Sequence, residues 1–252
     1  MLNFSDVEFH YEPFAIGRAL NVFDGTLYDQ LVDSFPPVNF FNHKVHRKDD
    51  KYYFNEVKTR AAYLDWINNH EPWREFHRWL KSKDFIFYVL DMLAAHQIDL
   101  GIRRQRLSPA RQGRRLLGDI FRRGRYPRFE RSLYTRFEFS MLAADGGFIL
   151  PHTDAPEKIV TLVISMVREG EWDSQVGGSL VACRPKKLCH SFNHVNHFID
   201  FDEVEPLHDF EFVKNQCIIF IKTFNSYHCV PLMQSAGSEL VRRTITINIE
   251  YE

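Results

Sequence analysis

Near the middle of the chain, Gly147-Phe148-Ile149-Leu150-Pro151-His152-Thr153-Asp154 ends in an imidazole and a carboxylate two residues apart. In an extended strand such residues point the same way, so His152 and Asp154 can face one ion. Alone, the pair says only that a metal could be held. A second imidazole from another strand says more, because two His and one carboxylate on one face of an octahedral ion leave three positions for other ligands. His228 meets that need: Cys217–Pro231 reads as an apolar strand, a turn, and a His entering a further strand. The last strand, Val241-Arg242-Arg243-Thr244-Ile245-Thr246-Ile247-Asn248-Ile249, alternates. Arg242, Thr244, Thr246 and Asn248 share one face and the isoleucines the other. A polar face with an Arg near its start suits a pocket that holds an anion. Arg243 is a rival for that anion, although alternation puts it on the opposite face.

These residues need a sheet to position them. From Ser132 onward the pattern is alternation and short apolar runs, with candidate strands at 134–142, 147–151, 159–167, 178–184, 197–201, 210–213, 216–223 and 241–250. Consecutive strands with short connections indicate a sandwich or barrel, not βαβ units. The first half is different. Asp24-Gly25-Thr26 opens a helix with Leu27, Leu31 and Val32 on one stripe, closed by Pro36-Pro37. Residues 42–58 are polar and read as a surface loop or hairpin, and its His43 and His46 as solvated. Residues 61–99 are helical, with Pro72 in a first turn, a stripe of Trp73, Phe76, Trp79 and Leu80, then capping oxygens at Ser82-Lys83-Asp84 before Phe85, Tyr88, Val89, Met92 and Leu93. Those stripes read as packing against the sheet. The expected class is α+β, mainly β: one domain over 1–252, with an α-rich support at 1–131 and a β-rich core at 132–252.

At 252 residues the chain can bury a full core, and 44% hydrophobic with 26% charged residues is ordinary for a soluble globular protein. Net charge is −1, which gives no global pull towards nucleic acid or membrane. Charge does gather in one place. Between residues 101 and 131, eleven Arg face only Asp119 and Glu130, a net of +9, so the remainder carries −10. No Lys is among them, a bias that suits bidentate gripping of phosphate or carboxylate. The segment is either a solvated loop that pairs with acidic surface or an arm that attracts an anionic substrate, a polyanion or a lipid headgroup. The four cysteines have no CxxC spacing, the N-terminus lacks the pattern of a signal peptide, and no apolar run is long enough for a membrane span. A cytoplasmic location is expected.

Taken together, His152-x-Asp154, His228 followed by Val230-Pro231, and Arg242 in Arg-Arg-Thr-Ile-Thr-Ile-Asn resemble the iron(II)- and 2-oxoglutarate-dependent dioxygenases, in particular the prolyl-hydroxylase-like branch. Trp172 followed by Gly177-Gly178-Ser179-Leu180 resembles the Trp…Gly-Gly-x-Leu passage between that family's metal strands. The likeness covers residues 134–250. It implies a double-stranded β-helix (jelly roll, cupin-like) with N-terminal supporting helices. It further implies Fe(II) held by His152, Asp154 and His228, and 2-oxoglutarate as co-substrate with its distal carboxylate on Arg242 and Thr246. The implied reaction uses O2 and hydroxylates an unactivated C–H bond, with succinate and CO2 released. A carboxylate at Asp154, where a halogenase would have a small residue, favours hydroxylation. Leu142 and Ser165 stand where relatives often carry Tyr, and the loop between His228 and Arg242 is longer than in many of them.

The substrate class stays open: a small molecule or a side chain, anionic ones included. The passage with His190, His194, His197 and His208 reads as a loop or hairpin covering substrate, since Asp200, Asp202, Glu203 and Glu205 complete no ligand set. Cys229 points away from the metal by alternation and reads as packing. The alternative, from a different class, is a catalytically inactive jelly roll that binds nucleic acid or anionic membrane through residues 103–131. Such binding would fall steeply with salt and survive loss of the metal.

Overall fold

The computed structural model describes residues 1–46, 49–102, 133–192 and 195–251. The arginine-rich stretch, with every Arg from 103 to 131, and His194 lie outside the described residues.

Twelve strands are present among the described residues, all paired antiparallel. The eight from the second half are β5 (Leu133–Ala143), β6 (Ile149–His152), β7 (Lys158–Ser165), β8 (Leu180–Pro185), β9 (Val204–Phe210), β10 (Cys217–Ile221), β11 (Tyr227–Val230) and β12 (Val241–Tyr251). One layer runs β5–β12–β7–β10 and the other β6–β11–β8–β9. The chain thus crosses between layers at almost every connection, and that strand order is a double-stranded β-helix. Four strands come from the first half. β1 (Glu8–His10) and β2 (Ile16–Ala19) extend the first layer beyond β10, while β3 (Asn42–His46) and β4 (Asp49–Asn55) form a hairpin. β4 pairs with β5 and meets β6 at Asp49–Ile149, so the hairpin left open between loop and hairpin is a joint between the layers.

The helices form where expected. Helix α1 (Gly25–Asp33) starts at Asp24, whose carboxylate accepts from the Thr26 and Leu27 amides. Helices α2 (Arg60–Asn69), α3 (Glu71–Leu80, Pro72 in its first turn) and α4 (Lys83–Ala95, capped by Ser82) follow. Tyr28, Tyr63, Trp73, Phe76, Leu80, Phe85 and Val89 are buried in one cluster with Phe137 and Phe139 of β5 and Ile245, Ile247 and Ile249 of β12. Trp73 meets Phe139 edge-to-face at 4.7 Å. Aromatic stripes at helical spacing are therefore the packing layer over the outer face of the sheet.

Two expected strands are corrected. No strand forms at 197–201: Phe198 makes an isolated bridge to His152, and Phe201–Glu203 is a 3-10 turn with a capping box at Asp200. The strand expected at 210–213 instead ends at Phe210 and begins at Val204. Pro206 lacks an amide hydrogen and breaks the alternation, but β9 is an edge strand, and the pairing with β8 absorbs it through a register shift beside Cys183.

Candidate metal centre

The two metal strands are brought together by a tight turn and a register. Gly146 (φ 80°) and Gly147 lead from β5 into β6. A Cβ on Gly147 would lie 2.2 Å from the Ala143 carbonyl oxygen, so no larger residue fits there. β6 then pairs with β11 so that His152 lies directly opposite His228. Strand alternation does not place Asp154, contrary to the simple expectation. β6 ends at His152, and Asp154 has φ 67°, a left-handed conformation that Asp tolerates. The turn, not the pleat, brings its carboxylate back.

His152, Asp154 and His228 form a group whose potential ligand atoms all lie within 4.8 Å of one another. Nε2 of His152 is 3.7 Å from Asp154 Oδ1, and Nε2 of His228 is 3.9 Å from Oδ2. Nδ1 of His152 lies 2.9 Å from the Leu150 carbonyl oxygen and Nδ1 of His228 lies 3.0 Å from that of Ser226. A carbonyl only accepts, so each Nδ1 carries the proton and each Nε2 keeps its lone pair for an ion. Phe198 stacks on His152 (4.8 Å, 6°) and Phe220 lies against His228 (4.2 Å). Burial lowers the His152 pKa to about 3, helped by the neighbouring His228, and it lowers His228 as well. Burial alone would raise Asp154, but the Lys158 ammonium and the two imidazoles hold it well below the usual carboxylate range. Two neutral imidazoles and one carboxylate are the protonation states that metal binding requires. The donor set fits a divalent metal.

These residues line a cavity between the layers, with about 590 Å³ of empty space including its open mouth. Lys51, Ser140, Leu142, Lys158, Thr161, Val163, Arg242, Thr244 and Thr246 also face it. Arg242 is 5% exposed and donates from Nε to the Gly178 carbonyl oxygen at 2.5 Å. Its guanidinium lies 4.6 Å over the Phe212 ring. Burial pulls its pKa down to about 9, and no carboxylate among the described residues offsets that effect. The Trp172…Gly177-Gly178 passage is its seat: Trp172 donates to the Gly177 carbonyl oxygen at 2.9 Å. A Cβ on Gly178 (φ 84°) would come 3.0 Å from the Trp172 ring and 3.1 Å from Arg242 Cδ. Arg243 points away and pairs with Glu171 at 2.5 Å, which removes it as a rival. Asn248 shares the inner face and accepts from Thr161 Oγ1 at 3.0 Å.

Other candidates fall elsewhere. His43 stacks on Tyr52 (3.9 Å) and pairs with Asp50. His208 stacks on His10 (4.1 Å) in β9. His190 and His197 lie 3.3 Å apart between ring nitrogens in the β8–β9 connection. That connection reaches the metal strand through Ile199, whose amide donates to the Pro151 carbonyl oxygen at 3.0 Å. Cys229 lies 3.6 Å from Cys183 in a separate buried cluster, consistent with packing. Ser165 is buried, and its carbonyl accepts from the Tyr28 hydroxyl.

Sequence reasoning missed Lys158, Thr161, Phe198 and Lys51. Thr161 had a signal, being the one polar residue between Ile159 and Ile164. Lys51 is paired with the part-buried Glu138 at 2.6 Å. Burial would raise that carboxyl, but Lys51 and Asn55 bring it down to about 2.

No protein-family model and no curated protein sequence matches the chain. Among solved structures, a prolyl-4-hydroxylase from Pseudomonas putida is 15% identical, with a TM-score of 0.49 over 94% of this chain and 92% of that one. A Trichoplax adhaerens prolyl hydroxylase, in complex with a hypoxia inducible factor peptide fragment, is 11% identical (TM-score 0.46; 93% and 83%). HygX from Streptomyces hygroscopicus, with nickel and 2-oxoglutarate bound, is 5% identical (TM-score 0.42; 93% and 82%). The fold assignment itself rests on the strand order.

Proposed function

We propose that the chain is an Fe(II)- and 2-oxoglutarate-dependent dioxygenase that hydroxylates an unactivated C–H bond. The observation that carries this reading is one cavity lined both by a two-His, one-carboxylate group and by a buried guanidinium without a carboxylate partner among the described residues. A buried Arg left unpaired is costly, and an anionic ligand offsets that cost. His152, Asp154 and His228 would hold the iron, and Arg242, with the Thr246 hydroxyl on the same face of β12, would hold the distal carboxylate of 2-oxoglutarate. Iron bound there supplies the oxidising chemistry, with 2-oxoglutarate and O2 consumed and succinate and CO2 released. The chain's own part is to keep both imidazoles neutral with Nε2 presented, to fix the co-substrate by its far end, and to surround the reacting positions with Phe198, Phe220, Leu142 and Leu180.

Residues 1–252 act as a single domain on this reading, because the helices and the sheet share one buried cluster. No helix among the described residues is long and apolar enough to cross a membrane. Four free cysteines support a reducing, cytoplasmic setting. The substrate is a small molecule or a side chain. The test is Fe(II)- and O2-dependent conversion of 2-oxoglutarate to succinate. Turnover is expected to vanish in a His152→Ala/Asp154→Ala variant, and unchanged turnover there would overturn the assignment.

A further inference from the structure

We propose that Lys158 is a positioning residue that keeps Asp154 a one-oxygen metal ligand, so that the positions needed by 2-oxoglutarate stay open. This inference rests on the metal-site reading above. Lys158 Nζ lies 2.6 Å from Asp154 Oδ1, and the two side chains are only 13% and 9% exposed. The other oxygen, Oδ2, is approached by Thr161 Oγ1 at 3.3 Å. That hydroxyl has one proton, and Asn248 Oδ1 lies closer to it, at 3.0 Å. Both oxygens flank a ligand imidazole, Oδ1 at 3.7 Å from His152 Nε2 and Oδ2 at 3.9 Å from His228 Nε2, but only Oδ1 is engaged by a charged donor, which leaves Oδ2 the freer oxygen for an ion.

The backbone shows that Lys158 is aimed there. Along β7, Val160, Leu162 and Ile164 face the helices, and strict alternation would put Lys158 with them. It lines the cavity instead. The pairing with β12 slips at this point: Val160 lies opposite Ile249 and Lys158 opposite Glu250, so two residues of β7 match one of β12. That bulge turns Lys158 inward, a common use of bulges beside functional sites.

The consequence is one of coordination number. With Asp154 bound through one oxygen, three ligands leave three places on an octahedral ion, enough for a chelating co-substrate and O2. Binding through both oxygens would take one of those places. It would also make Oδ1 share its lone pairs between the ion and the Lys158 ammonium, whose short, charge-assisted bond in a buried setting lowers that oxygen's donor strength towards a metal.

The test uses Co(II), titrated into the full chain by calorimetry and followed by its visible spectrum, and then 2-oxoglutarate titrated into the Co(II)-loaded protein. In Lys158→Met, Co(II) should bind at least as tightly as in wild type, because a neighbouring positive charge is gone and the second oxygen is released. Affinity for 2-oxoglutarate should fall roughly 10–100-fold, and 2-oxoglutarate should perturb the Co(II) spectrum less. Lys158→Arg, which retains a charged donor, should recover most of that affinity. A parallel loss of Co(II) and 2-oxoglutarate affinity would mean a merely structural role and overturn the proposal, as would wild-type behaviour in Lys158→Met. If Lys158→Met does not fold, Lys158→Gln carries the same criteria. Wild-type protein that takes up no Co(II) would instead overturn the metal-site reading itself.

Discussion

Along β12, Ile245, Ile247 and Ile249 face the helices in a dry aromatic cluster, while Arg242, Thr244 and Thr246 face the cavity. Both faces are largely buried, the outer one within a wholly apolar cluster and the inner one against a cavity wall that mixes Leu142, Val163 and Phe220 with polar groups. The outer face gains from water exclusion and dispersion, terms proportional to area and indifferent to a ligand. The inner face keeps a guanidinium and hydroxyls out of bulk water with few partners, at a cost to folding. One strand thus shows where the chain invests in stability and where it invests in binding. The two kinds of substitution should separate cleanly.

The largest effect on stability should come from the outer side. Phe139→Ala removes a ring packed on Trp73, Tyr63 and Phe54 and should destabilise by about 3–5 kcal/mol in denaturant unfolding. Ile247→Ala should cost about 2–5 kcal/mol, with 2-oxoglutarate affinity of the folded protein unchanged. Arg242→Met should do the reverse. Loss of the charge partner should weaken 2-oxoglutarate by about 2–5 kcal/mol, thirtyfold or more in Kd. Stability should hold or rise, because an unpaired buried charge is replaced by an apolar chain of similar length. A large stability loss in Arg242→Met would break the distinction between the faces.

Acid should act through imidazoles on both sides, His152 at the cavity and His77 against Tyr63 and Phe137 in the outer layer. The His152 pKa is lowered to about 3 in the folded chain from an ordinary 6.5, so the unfolded chain binds more protons between those values. The metal-free protein should therefore lose stability progressively as pH falls from about 6.5, and His77, lowered to about 4 by burial, adds in the same direction. His152→Phe should flatten that part of a stability–pH curve. The smallest expected effect is Thr246→Val, which removes one hydroxyl and should weaken 2-oxoglutarate by about 0.5–1.5 kcal/mol.

What could be read from the sequence follows the same division. The alternation of β12, the helix caps at Asp24 and Ser82, and the aromatic stripes were legible because each is a local, periodic consequence of burial. The proximity of His152, Asp154, His228 and Arg242 was legible through motif spacing, although for Asp154 the geometric reason is a left-handed turn and not a pleat. Lys158 was not legible, since its inward aim depends on a bulge set by pairing with a strand some ninety residues away. Phe198 was misplaced for a similar reason: it meets His152 through a single bridge, which leaves no periodic trace. The strand at Val204–Phe210 was hidden by Pro206, tolerated only because topology puts β9 at an edge.

The most direct test of the central claim is calorimetric titration of 2-oxoglutarate into wild-type protein with and without Mn(II), alongside Asp154→Ala and Arg242→Met. Binding should require the metal, be lost in Asp154→Ala, and be weakened at least thirtyfold in Arg242→Met. Binding of equal strength without metal, or in either variant, would contradict it.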